Sequence, residues 1–335
     1  MKHDNFLMRQ RRKLLVAAVM AMSSVSAAQA ADVNISVGSC PVGCTAYTWA
    51  AGIADVINRN VEGVRVTAEE TKGYVVNVKL LQRGELEASM ATSLSAYQAY
   101  AATGNFKDGE KGQILSWMAI VPVVMHVVTL ADSPVKSLAD LKGKRVGMGQ
   151  PGGTSMLDAD ALMETIGLAP DTDFKPFRVR LGNMTSMLGD GNLDVAIWNG
   201  SYPLPPVKKL TAERPIRLLP IPDPVFTKHQ AANPPYFRVD IPAKTYQGVD
   251  AATPSFGLSN GLVILKKVPD DLVYRMTKAV FENLDKLKGV HPAFGRVSKE
   301  TVLNGFAAPL HPGALRYYRE IGVPGIEEFV KRTSK

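Results

Sequence analysis

The sequence predicts an α/β protein of two lobes joined by hinge strands, with a ligand cleft between the lobes. Three observations lead there. The chain has 335 residues, 46% of them hydrophobic, which is enough to bury a large core at a length that usually divides in two. A strand, a small-residue turn and a helix follow one another three times along it, the repeating half of an α/β unit. Two apolar runs far apart in sequence read as strands on which the chain leaves the first lobe and returns to it. The expected organisation is residues 31–128 and 262–335 in lobe 1 and residues 129–261 in lobe 2, behind a leader over residues 1–30.

In the first unit Asn34 to Gly38, "NISVG", alternates apolar and polar residues as a half-exposed strand does. The turn "GSCPVGC" follows, and Ala50, Ile53, Ala54 and Ile57 then recur at helical spacing. The second unit gives a strand from Val64 to Ala68, a turn from Thr71 to Gly73 and a helix ending near Gly84. The third gives a strand from Arg145 to Gly149, a turn from Gln150 to Thr154, and a helix with Ala159, Leu162, Met163 and Ile166 on one face. Between them lies the extended run "VPVVMHVVTLA", after which Ser137 to Leu141 reads as one capped helical turn. Later "NGLVILKK" reads as a strand, and Val273, Met276, Val280, Leu284 and Leu287 line one long helix.

The first thirty residues pass from the basic "RQRRK" through the apolar "LLVAAVMAM" to "SAAQA". That is the pattern of a secretory signal peptide, with Ala28 and Ala30 at the small-residue positions and cleavage near Ala30/Ala31. Arg11-Arg12-Lys13-Leu14-Leu15 also fits a loose twin-arginine export pattern, so the sequence leaves the export route open. Export changes how the charge is read. Lys2, Arg9, Arg11, Arg12 and Lys13 against Asp4 account for four of the eight net positive charges. What remains is a mild excess with no run of Lys and Arg interleaved with aromatics, so nucleic acid is not an indicated partner.

Cys40 and Cys44 are the only cysteines. An oxidising compartment permits them to pair, two free thiols being the alternative. No neighbouring His or Cys completes a metal set, and no cofactor is expected. The glycine-bearing turns carry more chemistry. A strand that feeds a helix through such a turn leaves the first helical N–H groups unpaired at the positive end of the helix dipole, a seat for a carboxylate or phosphate. The same residue types also turn the chain and cap the helix whatever the protein binds. None of the three turns continues into Gly-Lys-Ser/Thr or completes Gly-x-Gly-x-x-Gly, so a nucleotide is not indicated.

The segments "GSCPVGCTAYTWAAGIADVIN", "TKGYVVNVKLLQRGELE", "SLADLKGKRVGMGQPGGTS", "DDLVYRMTKAVFENL" and "PLHPGALRYYRE" resemble, in this order, the TAXI family of solute receptors. Those are the extracytoplasmic component of one class of TRAP transporter. The resemblance spans about residues 33 to 330. It implies a type II-like periplasmic binding protein that closes on a small anionic ligand and delivers it to a membrane permease, with no chemistry on the ligand. It places Gly38, Ser39, Gly43, Thr45 and Tyr47 in the first ligand-facing turn, and Thr71, Gly73 and Asn77 in the second. Pro151, Gly152, Gly153, Thr154 and Ser155 form the lobe-2 turn, and Trp198 and Tyr202 an aromatic wall with Asn199 and Gly200 between them.

Specificity lies in the departures. Thr92-Ser93-Leu94 stands where members of the family carry an acidic residue, so Thr92 and Ser93 face the ligand without a carboxylate beside them. Lys72 replaces a small residue, either as a counter-charge or as a solvated turn lysine. Arg178 and Arg180 alternate on a strand, so one of them can face the cleft. The leading function is a periplasmic receptor for a small carboxylate, 2-oxoglutarate or glutamate being the first expectation. The alternatives are a sensory subunit for a membrane kinase, or an enzyme built on Cys44 and His126, the latter also readable as a hydrogen-bonded histidine in a buried strand.

Overall fold

The computed structural model describes residues 33–42, 44–151 and 154–334. The expected leader, Gly43, Gly152 and Gly153 lie outside the described residues. Strand β1 (Val33–Gly38) leads through the cysteine turn into α1 (Thr45–Asn60), whose Ala50, Ile53, Ala54 and Ile57 are buried together as their spacing requires. Cys40 and Cys44 are joined in a disulfide with their α-carbons 6.3 Å apart. The Cys44 sulfur also accepts the Tyr47 N–H at 3.4 Å and so caps the helix. There follow β2 (Val64–Glu69), α2 (Tyr74–Gln82), β3 (Ala88–Thr92) and α3 (Ser93–Ala101). Gly73 enters α2 at φ +108°, a backbone conformation that a side chain would strain.

Strand β4 (Ile114–Leu130) is 17 residues long, and the chain then enters the second lobe through the turn Leu138–Leu141, which Ser137 and Asp140 close with a capping box. That lobe contains β5 (Arg145–Gly147), α4 (Thr154–Thr165), β6 (Lys175–Phe177), α5 (Leu181–Gly189), β7 (Val195–Gly200), α6 (Pro205–Glu213), β8 (Ile216–Leu218), α7 (Asp223–Ala232) and β9 (Phe237–Ile241). The return strand β10 (Thr253–Leu265) carries the chain back to α8 (Asp270–Glu282), α9 (Leu284–Val290), a 3-10 segment Pro292–Arg296, α10 (Pro312–Glu320) and α11 (Ile326–Thr333).

The described residues from Asn34 onward form one compact unit. A single mixed sheet runs through it in the order β2-β1-β3-β10-β4-β7-β5-β6, with β8 on β4 and β9 on β10. Strands β4 and β10 pair antiparallel from Ile114 opposite Leu265 to Val124 opposite Gly257, with register shifts at Asn260/Gly261 and Leu262/Val263. Such shifts bend and twist a strand locally. Each strand carries a different core at each end. Up to Val121 on β4 and from Leu262 on β10 the side chains join the core that includes α1 and α8. Val124 to Val128, Phe256 and Leu258 join the cores around α4, α5 and α7.

Three elements differ from the sequence reading. The long helix divides at Asn283, whose side-chain Nδ2 donates to the Ala279 carbonyl at 2.8 Å, and whose own N–H bonds Val280. Leu287 nevertheless stays buried, on α9. Strand β5 stops at Gly147, because Gly149 takes φ +83° and turns the chain toward α4. Strand β10 begins well before Asn260, because Thr253 to Gly257 pair with β9, a strand too short and too polar to be read in advance.

Candidate functional site

The residues of the first two turns meet, but chiefly in order to hold one another. Ser39 is fully buried, and both its N–H and its hydroxyl donate to the Glu69 carbonyl, at 3.0 and 2.9 Å. Its own carbonyl accepts the Asn77 amide at 2.7 Å and the Thr71 hydroxyl at 3.0 Å. Asn77, also fully buried, donates to Met90 O at 3.0 Å and accepts from Thr71. Gly38 is dictated by packing, since a Cβ there would sit 2.5 Å from Leu86 and 3.1 Å from the Asn77 side chain. These donors and acceptors are spent within the protein, so Ser39, Thr71 and Asn77 clamp the β1–α1 turn and do not offer themselves to a ligand. Lys72 is exposed beside them.

Thr92 caps α3 by accepting the Ser95 N–H at 3.1 Å, and the Ser93 hydroxyl accepts the Ser259 N–H of β10 at 3.1 Å. Leu94, which replaces the acidic residue of the resemblance, packs against a lobe-2 core. That side chain is therefore an apolar contact between the lobes.

In lobe 2, Thr154 is exposed at the start of α4, while Ser155 is buried and donates to the Asn199 side chain. Asn199 in turn donates to Asp158, which also accepts from Tyr236. Sequence reasoning missed Asp158 and Tyr236, for neither stands in a turn. Asp158 is 3% exposed, and burial pushes its carboxyl up to about 7 despite the opposing Tyr236 hydrogen bond. Arg178 and Arg180 do not alternate on a strand, since β6 ends at Phe177: Arg178 is committed to Asp160 at 3.2 Å, and Arg180 is exposed at the N-cap of α5. Trp198 is half-buried against the core around α5 and α6.

Asp158 has a consequence for stability. Its folded value lies above the 3.8 of an ordinary aspartate, so its contribution is full below pH 3.8 and is lost as pH rises through 7. Asp158→Asn should remove this dependence. Between pH 4 and 8 wild type should lose on the order of 4 kcal/mol relative to the variant in urea unfolding; parallel curves would place Asp158 in a wetter setting.

The two groups of the enzymatic alternative are otherwise engaged. Cys44 is in the disulfide. His126 is fully buried. Its Nδ1 lies 2.9 Å from Val124 O, which only accepts, so Nδ1 carries the proton, and Nε2 accepts from the Tyr246 hydroxyl at 3.0 Å. Burial lowers this imidazole to about 4, which keeps it neutral and structural.

The feature that gathers unspent polar groups is a cavity of about 510 Å3 between the lobes. Thr45, Trp49, Tyr74, Asn260, His291 and Arg296 line it on one side, and Ser201, Tyr202 and Pro203 on the other, with Val121 and Val123 of β4 between. Of the expected residues it therefore brings together Thr45 and Tyr202. Trp49 follows Thr45 at i+4, the neighbouring position on one helix face, and that spacing was the available signal. Three of the lining residues carry a buried polar atom without a partner among the described residues: Trp49 Nε1, Asn260 Oδ1 and Arg296 Nη1. Each such atom costs about 1–3 kcal/mol while unpaired. Burial also pushes the Tyr74 hydroxyl up.

Arg296 spans the cleft. It rises from the 3-10 segment that packs into the lobe-1 core, and its Nη2 donates to Tyr202 O at 2.8 Å. Its guanidinium lies 4.7 Å from the centroid of the Tyr202 ring. A second cavity of about 450 Å3 shares Val121, Tyr202 and Arg296 with the first, so the pair stands as a partition between two spaces.

A family model described as the NMT1-like family matches residues 37–322. Among solved structures, a TctC solute binding protein from Polaromonas aligns with a TM-score of 0.53 at 15% identity, over 78% of this chain and 88% of that one. The periplasmic sulfonate-binding protein SsuA from Methylobacillus flagellatus KT gives 0.51 at 11% identity, over 89% and 87%. XAC2383 from Xanthomonas citri, with ATP bound, gives 0.50 at 14% identity, over 89% and 98%. The chain shares with them the two-lobed α/β fold of solute-binding proteins.

Proposed function

Because the chain belongs to the NMT1-like family, we propose that it is an extracytoplasmic solute receptor that captures a small carboxylate by closing its lobes. The observation that carries this is the inter-lobe cavity, three of whose lining residues carry a buried polar atom without a partner among the described residues. A closed binding site satisfies such groups, and a ligand that pairs them better in the closed state than in the open one drives closure. In this reading β4 and β10 are the hinge, lobe 1 comprises residues 31–128 and 262–335, and lobe 2 residues 129–261.

The resemblance to TAXI receptors leads us to assign the partner as a TRAP-type permease driven by an ion gradient. The leader motif assigns the compartment as the periplasm, after cleavage near Ala30/Ala31. Tyr202 meets the ligand from lobe 2, with the exposed Thr154 at the start of α4 closing toward it, while Ser155 and Asn199 hold one another behind them. The protein binds without transforming its ligand, and no cofactor enters the account.

A melting-temperature screen against small carboxylates, amino acids, sugars and sulfonates tests this. A carboxylate at 100 times its dissociation constant should add about 2.7 kcal/mol of stability. Stabilisation by sugars alone, or by nothing in the panel, would contradict the reading. Tyr202→Ala should weaken binding of the stabilising carboxylate by about 2 kcal/mol in calorimetry; unchanged affinity would remove Tyr202 from the site.

A further inference from the structure

Building on the receptor reading, we infer that the cleft takes a carboxylate with one negative charge, an apolar body and one hydrogen-bond donor, in preference to a dicarboxylate. Charge decides the first point. Among the described residues lining the cavity Arg296 is the one fixed cation, no acid lines it, and Arg296 forms no ion pair. One carboxylate balances that guanidinium. A second, desolvated in the same space, would be left as an uncompensated buried charge. The other basic candidates do not supply the missing charge: Lys72 and Arg180 are exposed and outside the lining, and Arg178 is paired with Asp160.

The unspent atoms give the second point. Trp49 Nε1 and Arg296 Nη1 are unpartnered donors, among the described residues, on residues that line the cavity, and a donor is what a carboxylate calls for. Trp49 is 5% exposed, so its N–H has no recourse to bulk water. Asn260 Oδ1 is an acceptor, and it requires a hydroxyl or N–H from the ligand. A fully ionised 2-oxoglutarate has two carboxylates and no donor, and so fits neither count. Most of the remaining wall is hydrocarbon and ring, including Val121, Val123, Pro203, Tyr74 and Tyr202, with Thr45, Ser201 and His291 as its other polar members. An apolar body is what such a wall rewards.

Position gives these residues a further role. Trp49 and Arg296 belong to the lobe-1 core elements, Tyr202 packs against a lobe-2 core, and Asn260 sits at a register shift of β10. A carboxylate on Arg296 would thus lie against a guanidinium that rises from a lobe-1 segment and already touches Tyr202 of lobe 2.

The test uses the purified protein and matched ligand sets on a phenyl body: mandelate, phenylacetate and phenylsuccinate, with 2-oxoglutarate and glutamate beside them. Melting shifts and calorimetric titrations should rank mandelate first, about tenfold tighter than phenylacetate, which lacks the hydroxyl, and than phenylsuccinate, which adds a carboxylate. Arg296→Gln should weaken mandelate about a hundredfold and Arg296→Lys less. Trp49→Phe, which keeps a ring and removes the N–H, should weaken it about tenfold, and serves if the arginine variants fold poorly. Tighter binding of phenylsuccinate, 2-oxoglutarate or glutamate than of mandelate would overturn this inference and leave the receptor reading standing. Equal binding of mandelate and phenylacetate would overturn the donor assigned to Asn260. Binding of no carboxylate of either kind would overturn both the inference and the receptor reading.

Discussion

Gly261→Ala is expected to destabilise the protein by about 3 kcal/mol or more in urea unfolding, the upper end of what overpacking costs. The reason lies in how the two hinge strands approach. A Cβ on Gly261 would stand 2.3 Å from Met118 O and 3.0 Å from the Ala119 α-carbon. Both are backbone atoms of a neighbouring strand, held by their own ladder, and cannot turn aside as a side chain would. Gly257 faces the same obstruction from Val123 O, also at 2.3 Å, so the double variant should fail to fold. An alanine at either place that left stability unchanged would mean that β4 and β10 lie further apart than described.

Asn77→Ala should cost about 3 kcal/mol of stability. The substitution removes the donor to Ser39 O and Met90 O, both bonds buried, and the acceptor of the half-buried Thr71 hydroxyl. Ligand affinity in the folded variant should change little, because Asn77 holds the turn from behind. A variant of native stability that had lost binding would reverse this and restore Asn77 to the ligand-facing role that the resemblance implied.

Those two residues show where the sequence could be read and where it could not. The α1 face of Ala50, Ile53, Ala54 and Ile57 was legible because amphipathic periodicity is a local property. The capped turn at Ser137 was legible for the same reason, since a capping box needs only four neighbouring residues. Strand β9 and the true length of β10 were not, because a short, half-polar strand is specified by its pairing partner and not by its own pattern.

The site divides in the same way. Hydroxyl and amide residues beside glycines look alike whether they cap a helix, clamp a turn or meet a ligand, so Ser39, Thr71 and Asn77 could not be sorted without their partners. Arg296 and Asn260 gave no local signal. They reach the cavity only because the return strand and the 3-10 segment after α9 come to lie beside α1 and the Tyr202 turn. Trp49 lay in plain view on α1, yet its spacing reads first as core, and it is indeed buried in the lobe-1 core while its N–H has no partner among the described residues.

Closure of the lobes about that cavity is the central claim, and small-angle scattering with and without a ligand tests it most directly. The ligand should be the carboxylate that raises the melting temperature most, present at 100 times its dissociation constant. A smaller radius of gyration is expected in its presence, and no such change for Arg296→Gln under the same conditions. An unchanged radius in a protein that calorimetry shows to be saturated would contradict closure, and with it the role given to β4 and β10 as a hinge.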